Sequence, residues 1–177
     1  MGRRSAVPVG YTMEEFAEDY ANVLAARFSH PVPVLGFSTG GFLVMQLAAD
    51  HPALVELLVV AGAGHTLSET GRAANRRWIE ALTWGRPGDE WRELAVDLIG
   101  TQLIRARAGH VLASVGPLTP ANCIDGIRTA AAETDFDIGP SLSKIAAPTL
   151  IVAGDRDTTC PADILHRTAR GIDGAQL

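Results

Sequence analysis

Pro33-Val34-Leu35-Gly36-Phe37-Ser38-Thr39-Gly40-Gly41 joins two segments of different character. The apolar run Val32 to Leu35 reads as a buried strand, and Phe42-Leu43-Val44-Met45-Gln46-Leu47-Ala48-Ala49 reads as a helix. Between them stands Gly-x-Ser-x-Gly, the spacing of a sharp strand-to-helix turn that lifts a serine hydroxyl above the sheet. Such a turn strains the backbone at the serine. Side chains at Gly36 and Gly40 are expected to collide with the neighbouring strand and helix. Ser38 then falls at a helix N-terminus, where free N–H groups and the helix dipole favour developing negative charge. Ser38 is the candidate nucleophile, and the backbone N–H of Thr39 the candidate oxyanion donor. The simpler reading, a glycine-rich turn with an ordinary serine, leaves the strand-turn-helix context unexplained.

On the carboxyl side, Asp50-His51-Pro52 makes a turn and Val55 to Gly62 reads as a second buried strand. Strand, helix and strand at this spacing imply a parallel sheet with right-handed crossovers. On the amino side, Thr12-Met13-Glu14-Glu15 has the form of a capping box opening a helix that runs to about Phe28. A third buried strand is expected at Pro148 to Gly154, followed by Asp155-Arg156-Asp157 and a helix from Pro161 to about Arg170. Gly174 to Leu177 looks like the entrance to a further strand.

Residues 65–132 differ from the rest. Three helical segments, Ser68–Thr83, Asp89–Arg107 and Pro120–Ala132, appear without a convincing strand, and they carry Trp78, Trp84 and Trp91. The chain therefore divides into an α/β core (1–64 and 133–177) and a helical insertion (65–132) over the carboxyl edge of the sheet, where such sheets place their sites.

With 47% hydrophobic residues in 177, one domain with an insertion can bury a sizeable core. The net charge of −5 argues against nucleic acid or an anionic membrane as partner. No apolar run approaches ~18 residues, so no transmembrane helix is expected. Met-Gly-Arg-Arg-Ser at the start has no apolar stretch behind it, unlike a signal peptide. Cys123 and Cys160 fit no metal spacing; neither metal nor cofactor is expected, and the default compartment is the cytoplasm. No Gly-x-Gly-x-x-Gly or Gly-Lys-[Ser/Thr] follows a strand, which disfavours nucleotide binding. The tryptophans, with Leu98, Ile99, Leu103, Ile104, Val111 and Leu112, suggest a pocket for a small, apolar substrate.

These residues together resemble the α/β-hydrolase superfamily with a helical cap, over nearly the whole chain. The resemblance is carried by Gly36-Phe37-Ser38-Thr39-Gly40-Gly41, by Asp50-His51-Pro52-Ala53-Leu54-Val55, by Phe136-Asp137-Ile138 through Lys144-Ile145-Ala146-Ala147-Pro148, and by Gly154-Asp155-Arg156-Asp157. It implies an incomplete parallel-sheet hydrolase core with an inserted cap. The implied chemistry is hydrolysis of an ester, lactone, amide or carbon–carbon bond through an acyl-enzyme at Ser38. Asp157 matches the acid that orients a histidine, and Asp155 is the neighbouring alternative. The implied chain order is Ser, Asp, then His.

None of the five histidines fits that last place. His30 and His51 belong to turns at the amino-terminal edge of the strands, and His166 lies within a helix. His65 and His110 could approach the cleft. Gly2-Arg3-Arg4-Ser5-Ala6 resembles the end of the loop before the family's first long helix. On this reading the chain is an interior part of a longer hydrolase, inactive by itself, with its next strand inserted between the second and third strands found here. A non-catalytic binding protein on the same scaffold is the alternative.

Overall fold

The computed structural model describes residues 6–84 and 119–177. The expected helix Asp89–Arg107, Trp91, His110, the apolar residues between Leu98 and Leu112, and Gly2 to Ser5 lie outside the described residues. The capping box forms. Thr12 Oγ1 accepts from the Glu15 N–H at 3.3 Å, and Glu15 Oε2 accepts from the Thr12 N–H at 2.8 Å. It opens α1 (Met13–Arg27). Then follow β1 (Val32–Phe37), α2 (Thr39–Asp50), β2 (Val55–Ala61), α3 (Glu69–Trp84), α4 (Pro120–Thr134), β3 (Thr149–Val152) and α5 (Ala162–Gly171). Among the described residues no helix is long and apolar enough to cross a membrane.

The three strands are parallel, in the order β1-β2-β3. Gly36 pairs with Val60 and Phe37 with Ala61; Val60 pairs in turn with Ile151. The expected position of a further strand between β2 and β3 is therefore wrong. Those two strands are direct neighbours, with the Leu58 N–H donating to Pro148 O at 3.0 Å and the Gly62 N–H to Val152 O at 2.8 Å. The chain instead returns after α5 to the outer edge of β3. There Leu150 bridges to Gln176 in parallel, and the Ile151 and Gln176 N–H groups exchange bonds with Gln176 O and Thr149 O at 2.8 and 2.9 Å. A right-handed crossover from β3 through α5 lands on that outer side.

One face of the sheet is packed. Phe42, Met45 and Leu47 of α2 meet Leu58 and Val60 of β2, Ile151 of β3, Met13 and Ala17 of α1, and Ile164 and Leu165 of α5 in one buried cluster. The other face is open. Leu35 is 68% exposed and Phe37 72%, and Leu57, Leu150 and Val152 beside them are exposed as well. The expectation of three fully buried strands thus holds for one face only, although an all-parallel sheet is ordinarily covered on both.

At the carboxyl end of the strands three loops knit together. Ile138 N–H donates to His65 O at 3.0 Å, Thr66 Oγ1 to Phe136 O at 2.8 Å, and Ser68 Oγ to Thr158 O at 2.7 Å. These bonds fix the start of α3 and the exit from α4 against the turn after β3. Phe42 meets Phe136 edge-on, ring centroids 5.8 Å apart, so α2 packs against the same junction.

Candidate active site

Ser38 is the N-cap of α2, with φ 53° and ψ −126°, and among the described residues it alone has positive φ without being glycine. A non-glycine residue held there is strained by about 1–3 kcal/mol, and the surroundings enforce it. Its N–H donates to Ala61 O at 2.9 Å, and its carbonyl accepts from the Gly41 N–H at 2.7 Å. Thr39 is the first residue of α2, so its N–H is among the donors a helix leaves free at its start.

The glycines divide differently from the expectation. A Cβ on Gly36 would run into the Gly40 carbonyl oxygen and come within 2.5 Å of the Gly40 carbonyl carbon and of Val44 Cγ2. Gly40 itself has nothing within 4 Å of such a Cβ. The second position with no room is Gly41, whose Cβ would lie 2.6 Å from that of Ala63. Gly36 and Gly41 lie where α2 approaches the strands. Gly40 points into open space.

Ser38 and Thr39 open onto a cavity of about 650 Å³ at the carboxyl end of the sheet. Its walls include Phe37, Phe42, Leu67 and Trp78, and Asp157 lines it too. Asp155 is exposed and does not reach it. Asp157 Oδ1 accepts three bonds within its own turn: from Thr159 N–H at 2.8 Å, Thr159 Oγ1 at 2.6 Å and Cys160 N–H at 2.9 Å. Oδ2 has no hydrogen-bond partner among the described residues. Cys160 is not a rival nucleophile. Burial pushes its thiol up to about 12, so it stays protonated.

No histidine among the described residues lines this cavity. His65, which the sequence allowed to approach the cleft, is instead buried against α5. Its N–H and Nδ1 lie 2.8 and 3.0 Å from Thr168 Oγ1, and that hydroxyl donates to Ile164 O. The single hydroxyl hydrogen is thereby used, so Nδ1 carries the imidazole proton. Burial lowers the pKa of His65 and keeps the ring neutral. His51 Nε2 pairs with Glu18 Oε2 at 2.9 Å, His30 Nδ1 lies 2.8 Å from Pro31 O, and His166 is exposed on α5.

Glu133, in the last turn of α4, also lines the cavity and was not singled out by sequence. It is 8% exposed, and its Oε2 accepts from Thr39 Oγ1 at 3.1 Å. Burial raises its pKa, and the hydrogen bonds from Thr39 and Asn75 oppose that rise. The signal was an acid where the helix dipole disfavours one, three residues after the buried Ala130. A carboxyl with a raised folded pKa binds its proton more tightly folded than unfolded. Stability is then full below the ordinary value of 4.5 and declines as pH rises through it toward the raised value. Glu133→Gln is expected to melt like the native chain below that value and above it at neutral pH. Melting curves across pH check this.

A family model described as alpha/beta hydrolase fold matches residues 2–89. The chain is 28% identical to a putative carbamate hydrolase, RutD, of Serratia proteamaculans, over 98% of this chain and 66% of that protein. A crystal structure of a hydrolase from Pseudomonas aeruginosa superposes with a TM-score of 0.77 at 27% identity, covering 99% of this chain and 66% of the other. The enol-lactonase of Burkholderia xenovorans superposes with a TM-score of 0.80 at 20% identity, with the same coverage. The chain thus spans 66% of the length of each of these proteins.

Proposed function

The chain has the α/β-hydrolase fold, and from that premise we propose that it carries the nucleophile and acid of a serine hydrolase. Ser38 Oγ attacks the carbonyl of a small, largely apolar ester, lactone, amide or carbamate; hydrolysis of a carbon–carbon bond uses the same constellation. The Thr39 N–H receives the oxyanion, and Asp157 Oδ2 orients the histidine that takes the serine proton. The acyl-enzyme is then released by water. Residues 65–132 act as the cap, with α3 and α4 supplying the outer wall of the cavity. The observation that carries this reading is the strained Ser38 at the start of α2, on the same cavity as Asp157.

The base is not among the described residues that line the cavity, and a general base contributes ~10²–10⁴ in rate. A fluorophosphonate probe followed by intact mass is therefore expected to give one adduct, absent in Ser38→Ala. It should form at least ~10²-fold more slowly than on a hydrolase with its histidine in place. An adduct that survives Ser38→Ala overturns the assignment of the nucleophile. A folded chain that never reacts would favour a second reading, a binding protein on this scaffold, for which the want of a histidine among the described residues lining the cavity is the supporting observation.

A further inference from the structure

Thr39 is held from two directions. Its backbone opens α2 one residue after the strained Ser38, and its side chain reaches across to α4, where Thr39 Oγ1 donates to Glu133 Oε2 at 3.1 Å. Glu133 is held in turn. It is 8% exposed, and Asn75 of α3 bonds its carboxyl. Asn75 Nδ2 also donates to Ala130 O and to Thr134 Oγ1, each at 3.4 Å, on either side of Glu133 along α4. A chain of polar contacts therefore runs from α3 through α4 to the first residue of α2. Either form of the carboxyl serves it, since Oε2 accepts from a hydroxyl whether the group is ionised or carries its proton on the other oxygen.

An acid at this place costs the fold twice, by its burial and by its position at the wrong end of the α4 dipole. What it supplies is a fixed acceptor outside α2. The peptide unit between Ser38 and Thr39 carries the N–H that receives the oxyanion, and its orientation depends on Ser38 ψ and Thr39 φ. Within the turn that unit is tied on its carbonyl side, where Ser38 O accepts from the Gly41 N–H at 2.7 Å. The Thr39 side chain ties the other side, to Glu133. Relief of the strain at Ser38 would rotate this unit, and one hydrogen bond to a carboxyl group is of the same order as that strain. We infer that Glu133 is a positioning residue: through Thr39 Oγ1 it holds the Thr39 N–H where the oxyanion forms. This deepens the proposed function and rests on Ser38 being the nucleophile.

The test is the rate at which a fluorophosphonate modifies Ser38, measured across probe concentrations so that the limiting rate and the half-saturating concentration separate. Thr39→Val deletes the hydroxyl and keeps the N–H; Glu133→Leu deletes the acceptor. Each is expected to slow the limiting rate about 10-fold, a part of the ~10²–10³ that loss of a whole oxyanion donor costs. The half-saturating concentration should stay within about twofold of the native value, because the interaction is made in the transition state. Thr39→Ser and Glu133→Gln keep the donor and the acceptor, and should recover the rate to within about threefold. The double variant Thr39→Val/Glu133→Leu should be no slower than either single one, since both remove the same bond. Unchanged limiting rates in folded Thr39→Val and Glu133→Leu overturn the inference, even if both melt lower, because the bond is then structural only. So does slowing that multiplies in the double variant, or that Glu133→Gln fails to rescue. If Glu133→Leu does not fold, Thr39→Val against Thr39→Ser decides. A native chain that gives no adduct at Ser38 overturns the hydrolase reading instead, and the inference falls with it.

Discussion

Gly36→Ala is expected to remove the folded chain from solution rather than to weaken it slightly. The added Cβ would meet the Gly40 carbonyl group, which is backbone, and would stand 2.5 Å from Val44 Cγ2. Neither can step aside cheaply. Gly36 is locked in the ladder opposite Val60, and two residues on the Ser38 N–H is tied to Ala61 O. Relief requires α2 to lift off β1, which breaks the packing of Phe42, Met45 and Leu47. The cost should exceed about 4 kcal/mol, against a total of about 5–15 kcal/mol for a domain. Gly40→Ala is the matched control, because nothing lies within 4 Å of its Cβ. It should fold and melt no lower than the native chain, with up to about 1 kcal/mol to gain from helix propensity. Soluble yield and melting by circular dichroism separate the two, and a Gly36→Ala chain that melts normally would refute the elbow geometry.

Asp157 offers the second large effect, and two substitutions divide its duties. In Asp157→Ala three donors lose Oδ1 together: the Thr159 N–H and hydroxyl and the Cys160 N–H. The turn they shape presents Thr158 O and Thr159 O to Ser68, so the anchor of α3 loosens with it. A loss of about 2–4 kcal/mol is expected. Asp157→Asn keeps an oxygen in the Oδ1 position and should stay within about 1 kcal/mol of the native chain. Chemical denaturation of both variants checks the pair. Equal stability for alanine and asparagine would show that the turn does not depend on this side chain.

What could be read from the residues followed from local rules. Thr12-Met13-Glu14-Glu15 announced α1 because a capping box needs only four adjacent residues. Gly36 to Gly40 announced the turn at Ser38 because strand, turn and helix are contiguous. The errors arose where distant segments decide. Gly-x-Ser-x-Gly names Gly40, but the clash depends on which residue of the first turn of α2 faces Ala63, and that residue is Gly41. The apolar runs of β1, β2 and β3 look alike on both faces, so nothing local revealed that Leu35 and Phe37 are exposed. The place of Gln176 depended on where the crossover after β3 lands. His65 stands one loop from the cavity in sequence, yet Thr168, about a hundred residues later, claims its ring. Nothing local singles out Glu133 after its three alanines, because its partner Thr39 lies 94 residues away.

The open face of the sheet has a consequence for how the molecule behaves in a tube. Leu35, Phe37, Leu57, Leu150 and Val152 present an oily surface on rigid, hydrogen-bonded backbone, and the outer edge of β1 beside it has no strand partner among the described residues. Amphiphiles, fluorescent dyes for apolar surfaces and detergent monomers will adsorb there with little regard for chemical detail. Long-chain ester substrates will divide between this surface and the cavity above Ser38. Short, water-loving probes will find only the cavity. Apparent affinity that climbs steadily with alkyl chain length would therefore report the open face together with the pocket, since Phe37 and Val152 belong to both.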